Sequence, residues 1–176
     1  MKILKGIGIT LVVFIAGVLI FAATKPDTFR VQRAASIKAP PEKIAAVLSD
    51  FHGWEAWSPW EKMDPAMKRS HSGAAKGKGA VYAWQGDSKV GEGRLEITDA
   101  TASRVAMDLD FVKPFEAHNK VVFTLAPKGD STEVVWAMQG PVPYPAKIMH
   151  VFVDMDSMVG KQFEAGLANM KALAEK

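Results

Sequence analysis

The end of the chain, residues 154–176, carries one apolar stripe that limits what the remaining residues can form. Hydrophobic side chains recur there at spacings of three and four, at Met155, Val159, Phe163, Leu167, Met170 and Leu173. This spacing predicts an amphipathic α-helix, which at ~1.5 Å per residue would be about 34 Å long. Asp154 or Asp156 can cap its start. Gly160 and Gly166 permit either close packing or room for a ligand beneath the helix.

Before this helix, the chain has the pattern of short strands separated by turn residues. Apolar and polar residues alternate at 29–38, 81–85, 90–98, 104–111, 119–126 and 132–139. Gly91 and Gly93 predict either a bulge or a close approach of another backbone, and short helices are predicted from Pro41 and over residues 146–153. Short turns make neighbouring strands antiparallel, and each strand has one apolar face. We therefore predict an α+β domain in which a curved antiparallel sheet wraps around the long C-terminal helix.

The N-terminal segment is apolar without leaving a polar face. Residues 7–23 contain no charge, and the longer stretch 3–23 is long enough to cross a bilayer. Lys2 and Lys5 precede the uncharged residues 7–23, as basic residues do in a cleaved secretory signal. The apolar run is nevertheless longer than the core of a usual signal. We predict a membrane anchor over residues 1–25 and a folded domain over residues 29–176. The short basic start favours a single-pass orientation with the domain on the extracytoplasmic side.

The charge balance argues against nucleic acid as a partner. Of the 22 basic residues, three lie in the acid-free residues 1–26, so the remaining 19 balance the 19 acidic residues. The chain has no cysteine, which excludes disulfides and thiolate chemistry. The four histidines have no metal-binding spacing, and the Gly-rich turn at residues 73–79 lacks the phosphate-loop pattern. We predict no metal site and no cofactor.

Aromatic residues are concentrated in a bent connector at residues 51–60, which contains Trp54, Trp57 and Trp60. Such a cluster either plugs the end of a core or lines a pocket. Buried indole N–H groups need acceptors, and Asp50, Glu55 and Glu61 are available. The predicted lining of an apolar ligand site consists of Trp57, Trp60, Tyr82, Trp84, Phe111, Trp136, Met138 and Met158.

Polar candidates for catalysis each have a simpler alternative. His118 follows Glu116 at the start of a strand and either faces a cavity mouth or is an exposed turn residue. Glu92 and Arg94 alternate on one strand, so they form either a polar pair inside a cavity or part of a solvated face. Asp108 and Asp110 are most simply the outward positions of their strand. The sequence therefore assigns no catalytic residue and leaves open whether the domain is an enzyme.

Several stretches resemble the helix-grip, START-like (SRPBCC) superfamily, and within it the bacterial polyketide cyclase/dehydrase-like proteins. They are residues 37–44, Trp54 with residues 57–60, Gly91-Glu92-Gly93, residues 110–115 and residues 160–167. The resemblance covers Phe29 to the C-terminus. It implies a helix-grip fold and placement in a bacterial inner membrane through residues 3–23. The superfamily contains enzymes, lipid carriers and chaperone co-factors.

Two functions follow from this resemblance and from the apolar lining. The first is a membrane-anchored domain that binds a hydrophobic small molecule or lipid. The second is a cyclase- or dehydratase-type enzyme acting on an apolar or polyketide-like substrate. Either requires a cavity, which we expect between the concave sheet face and the C-terminal helix, near the tryptophan connector and widened by Gly160. The oligomeric state is left open.

Overall fold

The structure is a computed structural model that describes residues 2–176, with side chains described from Gly6 onward. Helix α1 is Lys2–Ala23, followed by strand β1 (Thr28–Ile37), helix α2 (Pro41–Leu48) and two 3₁₀ helices (Phe51–Ala56 and Pro59–Lys62). Six strands come next: β2 (Lys68–Gly73), β3 (Ala80–Gln85), β4 (Glu92–Ala100), β5 (Arg104–Lys113), β6 (Ala117–Lys128) and β7 (Ser131–Pro141). Helices α3 (Tyr144–Phe152) and α4 (Met155–Ala174) complete the chain.

The seven strands form one antiparallel sheet in the order β1-β7-β6-β5-β4-β3-β2. From β2 to β7, strands that are consecutive in the chain are also neighbours in the sheet, as their short turns require. Strand β1 instead pairs with β7, in a register from Thr28 opposite Pro141 to Ile37 opposite Thr132. The predicted bulge is present, because the β4–β5 register shifts between Glu92 and Gly93.

Helix α4 lies along β1 and closes the inner face of the sheet. Its predicted stripe is confirmed: Phe163, Leu167 and Met170 are buried, while the stripe residues nearer its ends are half-buried. The Asp154 carboxylate caps the helix by accepting hydrogen bonds from the backbone N–H and the hydroxyl of Ser157, at 3.2 and 2.7 Å. The α+β fold with a curved sheet gripping a long helix is therefore confirmed.

Helix α1 extends away from this domain and is long and apolar enough to cross a membrane, a property that anchors and signal sequences share. Only its last turns touch the domain. Ala22 is fully buried, and the Tyr144 hydroxyl of α3 donates a hydrogen bond to the Leu19 carbonyl at 2.9 Å. The predicted basic start with Lys2 and Lys5 lies outside the residues whose side chains are described.

Candidate functional site

The space beside Gly160 is filled by an arginine, not by a cavity. Arg33 points inward from β1, and a Cβ on Gly160 would overlap its guanidinium group. The guanidinium forms ion pairs with Asp156 at 2.9 Å and Glu164 at 2.7 Å, both on α4. Asp156, and then Glu164, raise the pKa of Arg33 above its ordinary value, and Arg33 lowers the pKa of Asp156. The expectation that Gly160 widens a cavity is wrong, because the space left by its missing side chain is occupied by the Arg33 guanidinium. We call Arg33 with Asp156 and Glu164 the clamp.

The tryptophan connector contributes to an aromatic plug beneath α4. We define the aromatic plug as Trp57, Trp60, Phe123, Trp136 and Phe163. The Trp136 ring stacks on Phe163 at 4.1 Å between centroids and meets Trp57 at 5.6 Å. Gly166 makes this possible, because a Cβ there would lie 2.7 Å from the Trp136 ring. The predicted cavity beside the connector is therefore wrong, because these rings occupy that space.

A second aromatic group lies towards one end of the sheet. Trp84 and Phe111 face each other across Gly93 on the intervening strand, with ring centroids 5.7 Å apart. The Trp84 ring takes the place of the side chain that Gly93 lacks, and Tyr82 stacks beside Trp84 at 6.0 Å. Both Trp84 and Phe111 are half-buried. These three predicted lining residues do come together, although they lie on different strands.

The remaining predicted lining residues divide clearly. Met138 is buried on the inner face of β7, between Val31 and Val121 of the neighbouring strands. Met158 is 52% exposed and does not belong to the interior. It lies five residues before buried Phe163, and five steps of about 100° place the two about 140° apart around the helix axis.

Among the side chains described from Gly6 onward, three polar atoms are buried without a hydrogen-bond partner: Trp57 Nε1, Trp136 Nε1 and Asn119 Oδ1. The expectation that carboxylates accept hydrogen bonds from the buried indole groups is wrong. The indole N–H groups of Trp54 and Trp84 instead donate to the backbone carbonyls of Leu48 and Val90. An unpartnered buried polar group costs about 1–3 kcal/mol. Each of these atoms would gain a hydrogen bond if a polar group of the right kind reached it.

Asn119 was missed by the sequence analysis. It precedes the inward residues of β6 at the same two-residue spacing, so strand periodicity places its amide on the inner face. Its Oδ1 lies where a side chain on Gly140 would be. Asn119 faces Leu109 on β5, two residue pairs along the ladder from Phe111 of the Trp84–Phe111 contact. A polar residue at an inward strand position is the signal that could have identified it.

A polar cluster ties the second 3₁₀ helix to strands β2 and β3. The buried Glu61 carboxylate accepts hydrogen bonds from Arg69 Nε at 2.6 Å and from the Tyr82 hydroxyl at 2.5 Å. Burial, and then Glu61, raise the pKa of Tyr82, so this phenol stays protonated near neutral pH. His71 and His52 stack on one another at 4.1 Å next to this cluster. Glu61 is thus engaged by an arginine and a phenol, which suits a structural role.

The other polar candidates lie on solvated surfaces. His118 is exposed and pairs with Asp110 at 2.7 Å. Glu92 pairs with Lys113 and Arg94 with Glu96 and Asp110, so of the two alternatives for Glu92 and Arg94 the structure supports the solvated strand face. Asp108 contacts Lys120 at 2.6 Å on the same face, as predicted for an outward position. Among residues 2–176, no three potential ligands from histidine, aspartate and glutamate cluster as a metal site would require.

The whole domain matches one protein family. Residues 28–175 match the family model described as polyketide cyclase/dehydrase and lipid transport. The chain belongs to this family. Its description supports a hydrophobic ligand-binding domain. A search of curated proteins returned no match.

Solved structures with the same fold come from distant relatives. Protein CV1439 from Chromobacterium violaceum has a TM-score of 0.59 and 15% identity, covering 86% of this chain and 99% of its own. The Aha1 dimer from Colwellia psychrerythraea has a TM-score of 0.60 and 16% identity, covering 84% and 96%. Major latex-like protein 151 from Panax ginseng has a TM-score of 0.57 and 11% identity, covering 86% and 100%. At these identities the similarity shows the fold alone.

Proposed function

We propose that residues 29–176 bind a hydrophobic small molecule or lipid on the inner face of the sheet, at the end that holds Asn119, Trp84 and Phe111. The unpartnered Asn119 Oδ1 is the observation that carries this proposal. The apolar body of the ligand would lie against the half-buried aromatic rings, which supply contact area without requiring polar partners. A hydroxyl or amide N–H on the ligand would donate to Asn119 Oδ1 and remove the penalty of its burial.

The aromatic plug limits where such a ligand can enter. Its five rings pack between the sheet and α4, so a ligand cannot enter beside the connector without displacing them. The half-buried rings of Trp84 and Phe111 lie nearer to solvent. The ligand should therefore be largely apolar, with one donor group directed at Asn119, because charges in such surroundings are costly unless paired.

The same proposal includes the membrane. We infer that residues 1–25 anchor the chain in a bacterial inner membrane, crossing once through residues 3–23, with the domain on the extracytoplasmic side. Supporting this, α1 exposes large hydrophobic side chains such as Ile9, Val12 and Phe14 along its length. An isolated helix with that surface gains its burial from lipid. A cleaved signal is the competing interpretation.

The binding test compares two ligands, one with and one without a hydrogen-bond donor, on a variant of Asn119 and on a control variant. Asn119→Leu preserves the side-chain volume but removes the acceptor, and Thr124→Leu, on the outward face of the same strand, is the matched control. A long-chain alcohol should bind about tenfold more weakly to Asn119→Leu, which corresponds to about 1.4 kcal/mol. An alkyl bromide of similar length should bind both variants alike. Tryptophan fluorescence follows both titrations.

Two outcomes would redirect the proposal. If neither compound changes the fluorescence or binds by calorimetry, the domain is better described as a structural or protein-interaction module. If a compound co-purifying with the protein is released chemically altered after incubation, the cyclase- or dehydratase-type alternative is favoured. A co-purifying compound recovered unchanged supports binding.

A further inference from the structure

The exposed large hydrophobic side chains of the domain all lie at one end of it. Seven such residues lie outside α1 in the part of the chain whose side chains are described, and one of them is Tyr144. We define the docking surface as the other six: Val112, Phe115, Met149, Phe152, Val153 and Met158. Phe115 and Phe152 are 64% and 67% exposed. Exposed apolar groups gathered in one region mark an interaction site, whereas single scattered ones do not.

The sheet topology explains why these residues share one end. The β5–β6 turn carries Val112 and Phe115, and β6 begins beside the end of β7, where Lys120 pairs with Gln139. The end of β7 pairs with the start of β1, with Pro141 opposite Thr28. Helix α3 follows β7 directly. Helix α4 ends beside Lys38, just after β1, and contacts Arg33 through Asp156 in its first turn, so its start points towards the beginning of β1. The docking surface therefore lies at the end of the sheet where α1 joins the domain.

Helix α3 buries a lysine more deeply than any of its apolar residues. Its only buried residue is Lys147, whose ammonium group contacts Asp27 at 2.6 Å in the linker after α1. Met149 and Phe152 on the same helix face outward. A helix of a soluble domain buries its apolar side chains and exposes its lysines. Outward-facing apolar side chains are typical of a helix at a membrane interface.

The connection to α1 keeps this surface close to the bilayer that α1 would cross. Residues 24–27 alone separate α1 from β1, and four extended residues span at most about 14 Å. The Tyr144–Leu19 hydrogen bond and the Lys147–Asp27 contact hold α3 against the end of α1. The part of the docking surface that α3 carries is thus held beside the end of α1.

We propose that the docking surface inserts into the headgroup–acyl boundary of the same bilayer, so that the domain lies on the membrane with the half-buried Trp84 and Phe111 of its proposed ligand site towards the lipid. This proposal rests on the anchor proposed above. The apolar side chains, rather than basic residues, would provide the attachment, because this end also carries acidic residues such as Asp27 and Glu116. A ligand would then pass between the membrane and the inner face of the sheet without crossing water.

The test uses the full-length chain and measures how deeply single fluorescent probes on it lie in the bilayer. The chain has no cysteine, so Phe152→Cys and Phe115→Cys each accept one environment-sensitive fluorophore. Ser131→Cys, in the turn at the other end of the sheet, is the matched control, and Val13→Cys reports on α1. Each labelled protein is reconstituted into vesicles of phosphatidylethanolamine and phosphatidylglycerol. Brominated lipids quench a probe in the bilayer, and aqueous iodide quenches one in water.

The expected result is lipid quenching at positions 152 and 115 with several-fold weaker iodide quenching than at position 131. Iodide quenching at 152 equal to that at 131, with lipid quenching retained at 13, would overturn docking and leave the anchor intact. Protection from both quenchers at 152 would mean that protein covers the surface, which also overturns the proposal. Loss of lipid quenching at 13 would overturn the anchor and docking together, whereas ligand binding is tested separately by the Asn119→Leu titration.

Discussion

At the scale of single residues, position 166 requires glycine because the Trp136 ring packs directly against its backbone. A methyl group there would lie 2.7 Å from Trp136 and 3.2 Å from Pro59. The Trp136 ring cannot move aside easily, because Phe163 stacks on one face and Trp57 and Trp60 meet it from other directions. Gly166 is therefore a packing requirement of the aromatic plug.

We predict that Gly166→Ala destabilises the protein by about 1–3 kcal/mol through overpacking. Alanine is favoured over glycine within a helix by about 1 kcal/mol, so without the clash the same change would stabilise α4. Chemical unfolding followed by tryptophan fluorescence measures the difference. Gly53→Ala is the control, because a Cβ at Gly53 meets no atom within 4 Å. An increase in stability for Gly166→Ala would show that the ring has room to shift.

Arg33 and Asn119 show what the sequence alone reveals about single residues. Arg33 interrupts the alternation of β1, which marks it as unusual, but its partners lie 123 and 131 positions away. No local pattern identifies contacts at that separation. Asn119 continues the inward spacing of β6, so its orientation was predictable. That its oxygen would lack a partner was not, because this depends on Gly140 of the adjacent strand.

At the scale of elements, α4 should respond to acid through its first turn. The pKa of Asp154 is lowered by Ser157 and that of Asp156 by Arg33. A carboxylate with a lowered folded-state pKa stabilises the protein above its unfolded pKa of about 3.9, and that stability is lost as the pH falls through the folded value. We expect unfolding midpoints to be steady from about pH 7 to 5 and to fall below about pH 4.

The variant Asp156→Asn separates the contribution of the Arg33–Asp156 ion pair to the acid dependence of stability from that of the other carboxylates. It should have a lower midpoint near neutral pH and a shallower acid dependence than the unmodified chain. Because Asp156 is largely exposed, the difference should shrink at high salt. An acid profile unchanged by Asp156→Asn would show that the Arg33 pair contributes nothing measurable.

The burial pattern of α4 gives a second prediction for this element. Phe163 is 1% exposed and stacked on Trp136, so Phe163→Ala should cost about 3–5 kcal/mol. Lys161→Ala, at an exposed position on the same helix, should change stability by less than about 0.5 kcal/mol. Denaturant titrations of both variants measure this contrast. Similar losses at the two positions would contradict the assignment of the buried face.

The elements themselves were largely predictable because their periods are local. The two-residue alternation and the turn residues placed β3 to β7 near their observed bounds, and the stripe placed α4. The β1–β7 pairing was not predictable in this way, since it joins residues about a hundred positions apart. The same limit applied to the site: the aromatic residues were identified, but not their division between the plug and the Trp84–Phe111 contact.

At the scale of the whole molecule, the buried core does not depend on α1. The main hydrophobic cluster contains residues from β1 to α4 and none from the first helix. Among the residues whose side chains are described, the contacts that join α1 to the domain are mainly with α3, and they include the buried Ala22 and the hydrogen bond to the Leu19 carbonyl. We therefore expect the domain to fold without α1, because removing that helix leaves the sheet, the aromatic plug and α4 with their own contacts.

We accordingly predict that the full chain fractionates with membranes and resists carbonate extraction, while a truncated chain beginning at Thr28 folds and is released by the same treatment. The reason is that α1 exposes an uncharged apolar surface long enough to cross a bilayer, whereas the docking surface would attach the truncated domain only peripherally. Circular dichroism of the truncated chain checks that it is folded, and sedimentation after carbonate treatment checks its attachment. A mature protein released from membranes with an N-terminus near Thr24 would identify residues 1–23 as a cleaved signal. Truncated chain that stays in the carbonate pellet would mean that the domain itself, rather than α1, supplies the anchor.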